Sequence, residues 1–340
     1  MNPLRWSLLA LVCLASWPLF AADETGPREG ALNTYLTREP NDTNGQLALL
    51  QQNVFKLEAD QTVLLFLLQY GNRVHLERIF FPANTSDHEM IPGFVFTPAA
   101  GIPAGTRRPG LLIVHGGFHE NLDWRFFRLV VAAVEHGYAV MFPEYRGSTG
   151  YGETIYNNSY GITDVADVLA SADYLSKQDF VDGKRMGILG HSRGGMATVL
   201  ALERAPQRFQ AAVEVCALLD FIAYMSYKPA ARQQEVAREK QFGGKLPSEN
   251  LPAYLEISPI NNVGAIQTPL LALATTGDKI VPVGLNTERL IDILKARGKV
   301  FDSHIYTNAP GGHTFFWGDS EEQKDCFKRS FEWLDKFLKP

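Results

Sequence analysis

The chain has 340 residues, of which 46% are hydrophobic and 20% charged, with a formal net charge of −5 and a pI near 5.9. That is enough apolar material for one large core or two smaller ones. The mild acidity, with no run of Lys or Arg, argues against a nucleic-acid partner or an anionic membrane surface and leaves small, largely neutral substrates as the default.

Residues 1–21 have the make-up of an export signal: Arg5 in a short leading region, an apolar run over residues 6–15, then small residues at Ala21 and Ala22. The run is too short for a confident membrane span, so cleavage after Ala21 or Ala22 predicts an exported protein, periplasmic or extracellular, without a span. Val12 precedes Cys13 where a lipid-anchored terminus wants a small residue, so no lipid anchor is expected. Cys216 closes an apolar run and reads as a buried thiol; its pairing with Cys326 is left open. In a host that glycosylates, Asn41, Asn84 and Asn157 fit the acceptor pattern.

Residues 22–72 read as a helical extension ahead of a main domain at 73–340. Residues 23–45 are polar and turn-rich. Over 45–70, Leu47, Leu50, Val54 and Leu57 share one helix face, while 63–68 is an apolar run whose type the pattern does not decide. Stretches 74–81 and 91–97 predict a hairpin, and 98–109 a Pro/Gly-rich loop. Short apolar strands then follow at 111–115, 139–142, 186–189, 211–215, 270–275 and 300–306. Between and after them come helices at 123–136, 163–177, 195–205 and 287–297, and a last one bearing Phe327, Phe331, Leu334 and Leu338. Such alternation predicts an α/β fold: a mostly parallel, eight-stranded sheet with helices on both faces. Residues 220–262 interrupt it as an insertion over the strand ends, placed to form part of a substrate pocket.

The chemistry gathers around Gly190-His-Ser-Arg-Gly194, a G-x-S-x-G motif between a predicted strand and a predicted helix. A serine at such a turn is held in a strained conformation with its hydroxyl pushed out at the sheet end. It needs a base to take its proton and a carboxylate to fix that base, in the chain order Ser, acid, His. His313, in the loop Pro310-Gly-Gly-His-Thr314, is placed for the base; His304 lies inside a strand pattern and reads as a packed or edge side chain. Asp278, just beyond strand 270–275, is the candidate acid, with Asp220 as rival. Donors for a tetrahedral oxyanion are expected from the Arg193 amide and from the His115-Gly-Gly-Phe118 loop, assigned to Gly117 with Gly116 or Phe118 as the alternatives. His115, His119 and Glu120 lack an H-E-x-x-H spacing, so neither metal nor cofactor is expected. Phe118, His119, Trp124 and Tyr151 are candidate pocket aromatics, and Arg146 a loop anchor.

From about residue 108 onward the chain resembles the catalytic domain of the prolyl oligopeptidase family of serine peptidases. The segments that carry the resemblance are Leu111-Leu-Ile-Val-His-Gly-Gly117, Pro143-Glu-Tyr-Arg-Gly-Ser-Thr-Gly-Tyr-Gly-Glu153, Gly190-His-Ser-Arg-Gly-Gly195, Gly277-Asp-Lys-Ile-Val-Pro282 and Gly311-Gly-His313. The resemblance implies an α/β-hydrolase fold, Ser192 as nucleophile, Asp278 as acid, His313 as base, and the Gly117 and Arg193 amides as oxyanion hole. Two departures stand out. The roughly 50 residues of helical extension are too few for the family's usual β-propeller, at about 40 residues per blade. Arg193 replaces the Tyr of many members. The expected activity is cleavage of small peptides or esters through an acyl-enzyme; a secreted carboxylesterase with the same triad is the alternative, and a binding module on a hydrolase scaffold the alternative of another class.

Overall fold

Alternating side chains along each central strand feed two separate cores. On β3 (Arg108–Val114), Leu112 and Val114 enter one core while Leu111 and Ile113 enter the other. β7 (Leu270–Thr275) divides in the same way, with Leu270 and Ala272 on one side and Leu271 and Leu273 on the other. A strand apolar on both faces must be covered on both, which is the requirement of a parallel sheet sandwiched by helices.

The computed structural model describes residues 43–339. The expected export signal and most of the polar stretch after it therefore lie outside the described residues. The sheet has eight strands: β1 (Val74–Pro82), β2 (Met90–Pro98), β3, β4 (Ala139–Pro143), β5 (Val181–His191), β6 (Ala211–Val215), β7 and β8 (Phe301–Tyr306). Their spatial order is β1-β2-β4-β3-β5-β6-β7-β8. β1 with β2, and β2 with β4, are antiparallel; every other pairing is parallel. The expected hairpin is the β1–β2 pair, in the register Val74 opposite Pro98.

One face carries the helices Thr163–Ser176, Arg193–Arg204 and Thr287–Ala296; the other carries Phe127–Glu135 and Glu321–Leu338. The expected helix at 123–136 begins as a short 3-10 turn, Trp124–Phe126, capped by the Asp123 carboxylate on the Arg125 amide. The insertion folds into three short helices, Phe221–Tyr227, Ala230–Ala237 and Leu251–Glu256. Cys216 and Cys326 are both buried free thiols.

The chain divides into two units, Met1–Leu50 and Gln51–Pro340. The helix Thr43–Tyr70 (α1) takes in residues of both. In the first unit Leu47 and Leu50 are exposed. In the second, Ala59 and Phe66 are buried, Phe66 edge-on to Phe96 and Phe127, while Val54 and Leu57 are exposed. The face on which the spacing put Leu47, Leu50, Val54 and Leu57 is thus open, and the docking contacts come from the other side of the helix. The run 63–68 is helical.

Candidate active site

Ser192 is the single residue between β5 and the helix Arg193–Arg204, with φ 59° and ψ −122°. A left-handed φ on a side-chain-bearing residue costs on the order of 1–3 kcal/mol, so the surroundings must hold it. They do so through the backbone. The Ser192 amide donates to the Val215 carbonyl at 2.9 Å, and its own carbonyl accepts from Met196 at 3.0 Å and Leu218 at 3.3 Å. Gly194 allows this close approach, since a Cβ there would stand 2.1 Å from the Val114 carbonyl oxygen at the end of β3.

The candidate acid and base arrive from neighbouring strand ends. Asp278 follows β7, and His313 lies in the turn Gly312–Trp317 that follows β8; both are buried. His313 Nε2 is 2.8 Å from Ser192 Oγ, and His313 Nδ1 is 2.6 Å from Asp278 Oδ2. The second carboxylate oxygen, Oδ1, accepts the amides of Ile280 and Val281, each at 2.8 Å, which fixes the plane of the carboxylate. With Nδ1–H donated to Asp278, the Nε2 lone pair is free to accept the serine proton. Asp220 is elsewhere: it caps the helix Phe221–Tyr227 through the Ala223 amide at 2.8 Å and pairs with Arg289. His304 packs edge-on to Tyr306 at 4.4 Å in β8.

His191, which the sequence reading passed over, supports His313. Its Nε2–H donates to the His313 carbonyl at 2.8 Å, and its ring lies parallel to Phe316 at 5.7 Å. Burial, with the His313 ring as a second cause, pushes its pKa well below the ordinary histidine value, so it remains a neutral donor. The available signal was its position immediately before the serine.

The loop after β3, the candidate source of an oxyanion donor, runs alongside the serine. A carbon added to Gly116 would come within 3.3 Å of Ser192 Cβ and 3.7 Å of the Arg193 amide nitrogen, so this loop runs beside the elbow. Gly117 has φ 73°, and a Cβ there would collide with Glu120 at 2.4 Å. The Arg193 amide opens a helix, where the aligned peptide dipoles favour negative charge. Its side chain turns away from the serine and binds the loop. Nη1 donates to the Gly117 carbonyl at 3.1 Å and the Phe118 carbonyl at 3.2 Å, while Nη2 pairs with the buried Asp164. The guanidinium also lies 4.0 Å from the Tyr160 ring centre and 5.0 Å from that of Tyr145.

Beneath the loop, His115 contacts Ser148 Oγ through Nε2 at 2.9 Å and stacks on Tyr145 at 4.1 Å; burial lowers its pKa to about 3. Tyr145 OH donates to the His115 carbonyl at 2.6 Å. Arg146 anchors the next segment by donating to Asp167 from Nε at 2.8 Å and from Nη2 at 2.7 Å, and to Asp87 from Nη1 at 2.6 Å. His119 is engaged separately, donating from Nδ1 to the Gly147 carbonyl at 2.9 Å and stacking on Tyr156 at 3.9 Å; Glu120 pairs with Arg125 at 2.8 Å. His191, Cys216 and His313 bring ligand-capable atoms within 4.8 Å of one another, but both ring nitrogens of His313 are committed to the hydrogen bonds already described.

A cavity of about 310 Å³ opens over Ser192. Its walls include Phe118, Tyr160, Leu218, Tyr224, Arg232 and Trp317. Of the expected aromatics Phe118 lines it; His119, Trp124 and Tyr151 stand outside the lining, and Trp124 is 66% exposed. Tyr224 and Arg232 come from the insertion, as its position over the strand ends implied. Tyr160 and Trp317 carried no signal, because loop paths decide which aromatics face a cavity.

A mostly parallel sheet with a strained serine at the end of a central strand, and a histidine and a carboxylate in line behind it, is the arrangement of a serine hydrolase of α/β-hydrolase architecture. The model of the prolyl oligopeptidase family matches residues 124–340, and the chain belongs to that family. It is 28% identical over 206 residues to an acylamino-acid-releasing enzyme of Arabidopsis thaliana, covering 59% of this chain and 27% of that one. It is 30% identical over 224 residues to the uncharacterized peptidase YuxL of Bacillus subtilis, covering 63% and 32%. The Pyrococcus horikoshii acylaminoacyl peptidase shares the fold, with a TM-score of 0.68 at 22% identity over 82% of this chain and 44% of that one. The aligned part amounts to between a quarter and a third of these two curated relatives.

Proposed function

We propose that the protein is an exported serine peptidase that cleaves small acylated or peptidic substrates through an acyl-enzyme on Ser192. The observation that carries this reading is the continuous chain from Ser192 Oγ through His313 to Asp278, at 2.8 and 2.6 Å. In the first step His313 Nε2 takes the Ser192 proton as Oγ bonds to the substrate carbonyl carbon. The Gly117 and Arg193 amides receive the oxyanion, each contributing about 3 kcal/mol if it behaves as a preorganised donor. As the tetrahedral adduct collapses, His313 returns the proton to the leaving nitrogen, leaving an ester on Ser192. Water, deprotonated by the same imidazole, then hydrolyses that ester. Asp278 holds the tautomer throughout and stabilises the imidazolium.

An amide leaving group is favoured by family membership and by the acylamino-acid-releasing and peptidase names of the relatives. Export rests on the composition of residues 1–21 and is tested by amino-terminal sequencing of the mature protein. For the chemistry, the test is fluorophosphonate labelling of Ser192, with hydrolysis of acylaminoacyl anilides and short-chain aryl esters by the wild type and Ser192→Ala. Labelling with turnover of both classes, lost in the variant, is expected. Ester turnover without anilide turnover makes the protein a carboxylesterase, and folded protein that does not label makes it a binding module.

A further inference from the structure

The helix α1 is apolar on two opposed sides, and only one of them is used. In the second unit, Ala59 and Phe66 are buried, whereas Val54 is 43%, Leu57 69%, Leu64 61% and Leu68 82% exposed. Together with the exposed Gln61 these residues fall at 54, 57, 61, 64 and 68, an alternation of three and four steps that is the heptad spacing of a helix-pairing seam. In the sequence the same spacing begins at Leu47 and Leu50. Leu65 and Leu67, flanking the seam, are also more than a third exposed.

From this seam we infer that the protein self-associates, with α1 of one copy pairing with α1 of a second. Three observations select this occupant. First, a seam of this spacing fits another helix bearing the same spacing, crossing at about 20°. Among the described residues the other large exposed apolar side chains occur singly or as a short pair, Leu251 with Leu255 on a six-residue helix, and none forms a run of this spacing, so the complement to the stripe is the stripe on another copy. A surface that complements itself is what a two-fold interface requires. Second, the exposed apolar area between Val54 and Leu68 is roughly 600 Å² per helix, which approaches the ~800 Å² per partner of a standard stable interface once the intervening polar groups are added. Third, the charge is wrong for a membrane surface. Between residues 43 and 70 the only basic residue is Lys56, set against Glu58 and Asp60, whereas an interfacial helix carries Lys and Arg along its polar face. Gln61, the one polar position inside the seam, fixes the register in which two such helices can meet.

The test is sedimentation equilibrium of the mature protein across the micromolar range, comparing the wild type with Leu57→Glu and Leu64→Glu. Both positions are exposed and glutamate is a good helix former, so melting temperature and Ser192 labelling by fluorophosphonate are expected to stay unchanged. A wild-type dimer that becomes a monomer in either variant supports the inference, as does oxidative cross-linking of Gln61→Cys into a covalent dimer. A monomeric wild type, or a dimer indifferent to both substitutions, overturns it. Binding of the wild type to phosphatidylcholine vesicles that both substitutions abolish, without any dimer, overturns it in favour of a lipid surface. None of these outcomes bears on the serine chemistry.

Discussion

Arg193 does two jobs with two parts of one residue. Its amide is a proposed oxyanion donor, and its guanidinium, almost fully buried, ties the Gly117 and Phe118 carbonyls to Asp164. Replacing it with Met keeps the amide and removes the tie. The cost to stability comes mainly from Asp164, left as a buried carboxylate without its counter-charge; breaking one side of a buried pair costs about 3–5 kcal/mol. Asp164 retains the amides of Gly161 at 3.1 Å and Val165 at 2.8 Å, which places the effect near the lower end, about 3 kcal/mol or a loss on the order of 5–10 °C in Tm. Removing both charges, in Arg193→Met with Asp164→Asn, is expected to recover most of that loss, because a pair replaced by neutral groups leaves no stranded charge. Activity is expected to behave differently. Without the guanidinium the 116–118 loop loses its grip in both variants, so kcat falls by about tenfold, part of the 10²–10³ that a whole oxyanion donor supplies, while KM changes little. Calorimetric Tm beside kcat and KM on one anilide substrate separates the two effects. A double variant with restored Tm and wild-type kcat refutes the positioning role; a single variant that melts like the wild type refutes the energetics.

Two further outcomes follow from the same geometry. Asp278→Asn preserves the shape of the site but lets His313 take the wrong tautomer, so kcat is expected to drop by about 10⁴ with the fold intact, read by turnover alongside circular dichroism. Stability is expected to fall as pH rises from about 6.5 to 8. Burial raises Glu144, Glu203 and Glu214 to about 8, so each stays protonated when folded but ionises near 4.5 when unfolded. The unfolded chain therefore binds fewer protons in this window, and each group removes up to about 1.4 kcal/mol of stability per pH unit. His115, lowered to about 3, and His191, lowered well below its ordinary value, act in the opposite sense, but below about 6.5. Melting temperature against pH measures the slope, and Glu214→Gln should make it shallower by one group.

The arrangement of the candidate triad was legible because each part of it is placed by backbone geometry. The Ser192 turn needs small neighbours for close approach, and the approach of the Val114 carbonyl to Gly194 shows why. Asp278 and His313 sit past strand ends, and alternating apolar strands and amphipathic helices announce where those ends are. Strand limits were read short where polar residues enter the ladder: β5 runs over Val181–His191, whereas the pattern marked only its apolar centre at 186–189. Tertiary partners without local periodicity stayed hidden. Neither the His191 bond to the His313 carbonyl nor the turn of the Arg193 side chain back onto the 116–118 loop leaves a trace in spacing. The exposed side of α1 was visible as a stripe, but a stripe does not say which side of a two-sided helix is used.

Reaction and recognition are assigned to different parts of the chain. The three residues of the proposed triad lie after β5, β7 and β8, and the proposed oxyanion loop after β3; these ends are neighbours because the parallel part of the sheet runs β4-β3-β5-β6-β7-β8. Each is held from below, by the Val215 and Leu218 backbone, by the Ile280 and Val281 amides, by His191, and by Arg193. The cavity wall is different. Tyr224 and Arg232 come from short insertion helices, and Arg232 pairs with Glu235, whose side chain is 64% exposed. A half-exposed pair of this kind is worth at most about 1 kcal/mol, so Glu235 fixes the Arg232 guanidinium, which also lies 4.6 Å from the Phe118 ring centre, far less firmly than the buried Asp164 fixes that of Arg193. The wall can therefore vary in charge and shape without disturbing the proton path, which is how one rigid set of strand ends can serve substrates that differ in everything except the bond that is cut.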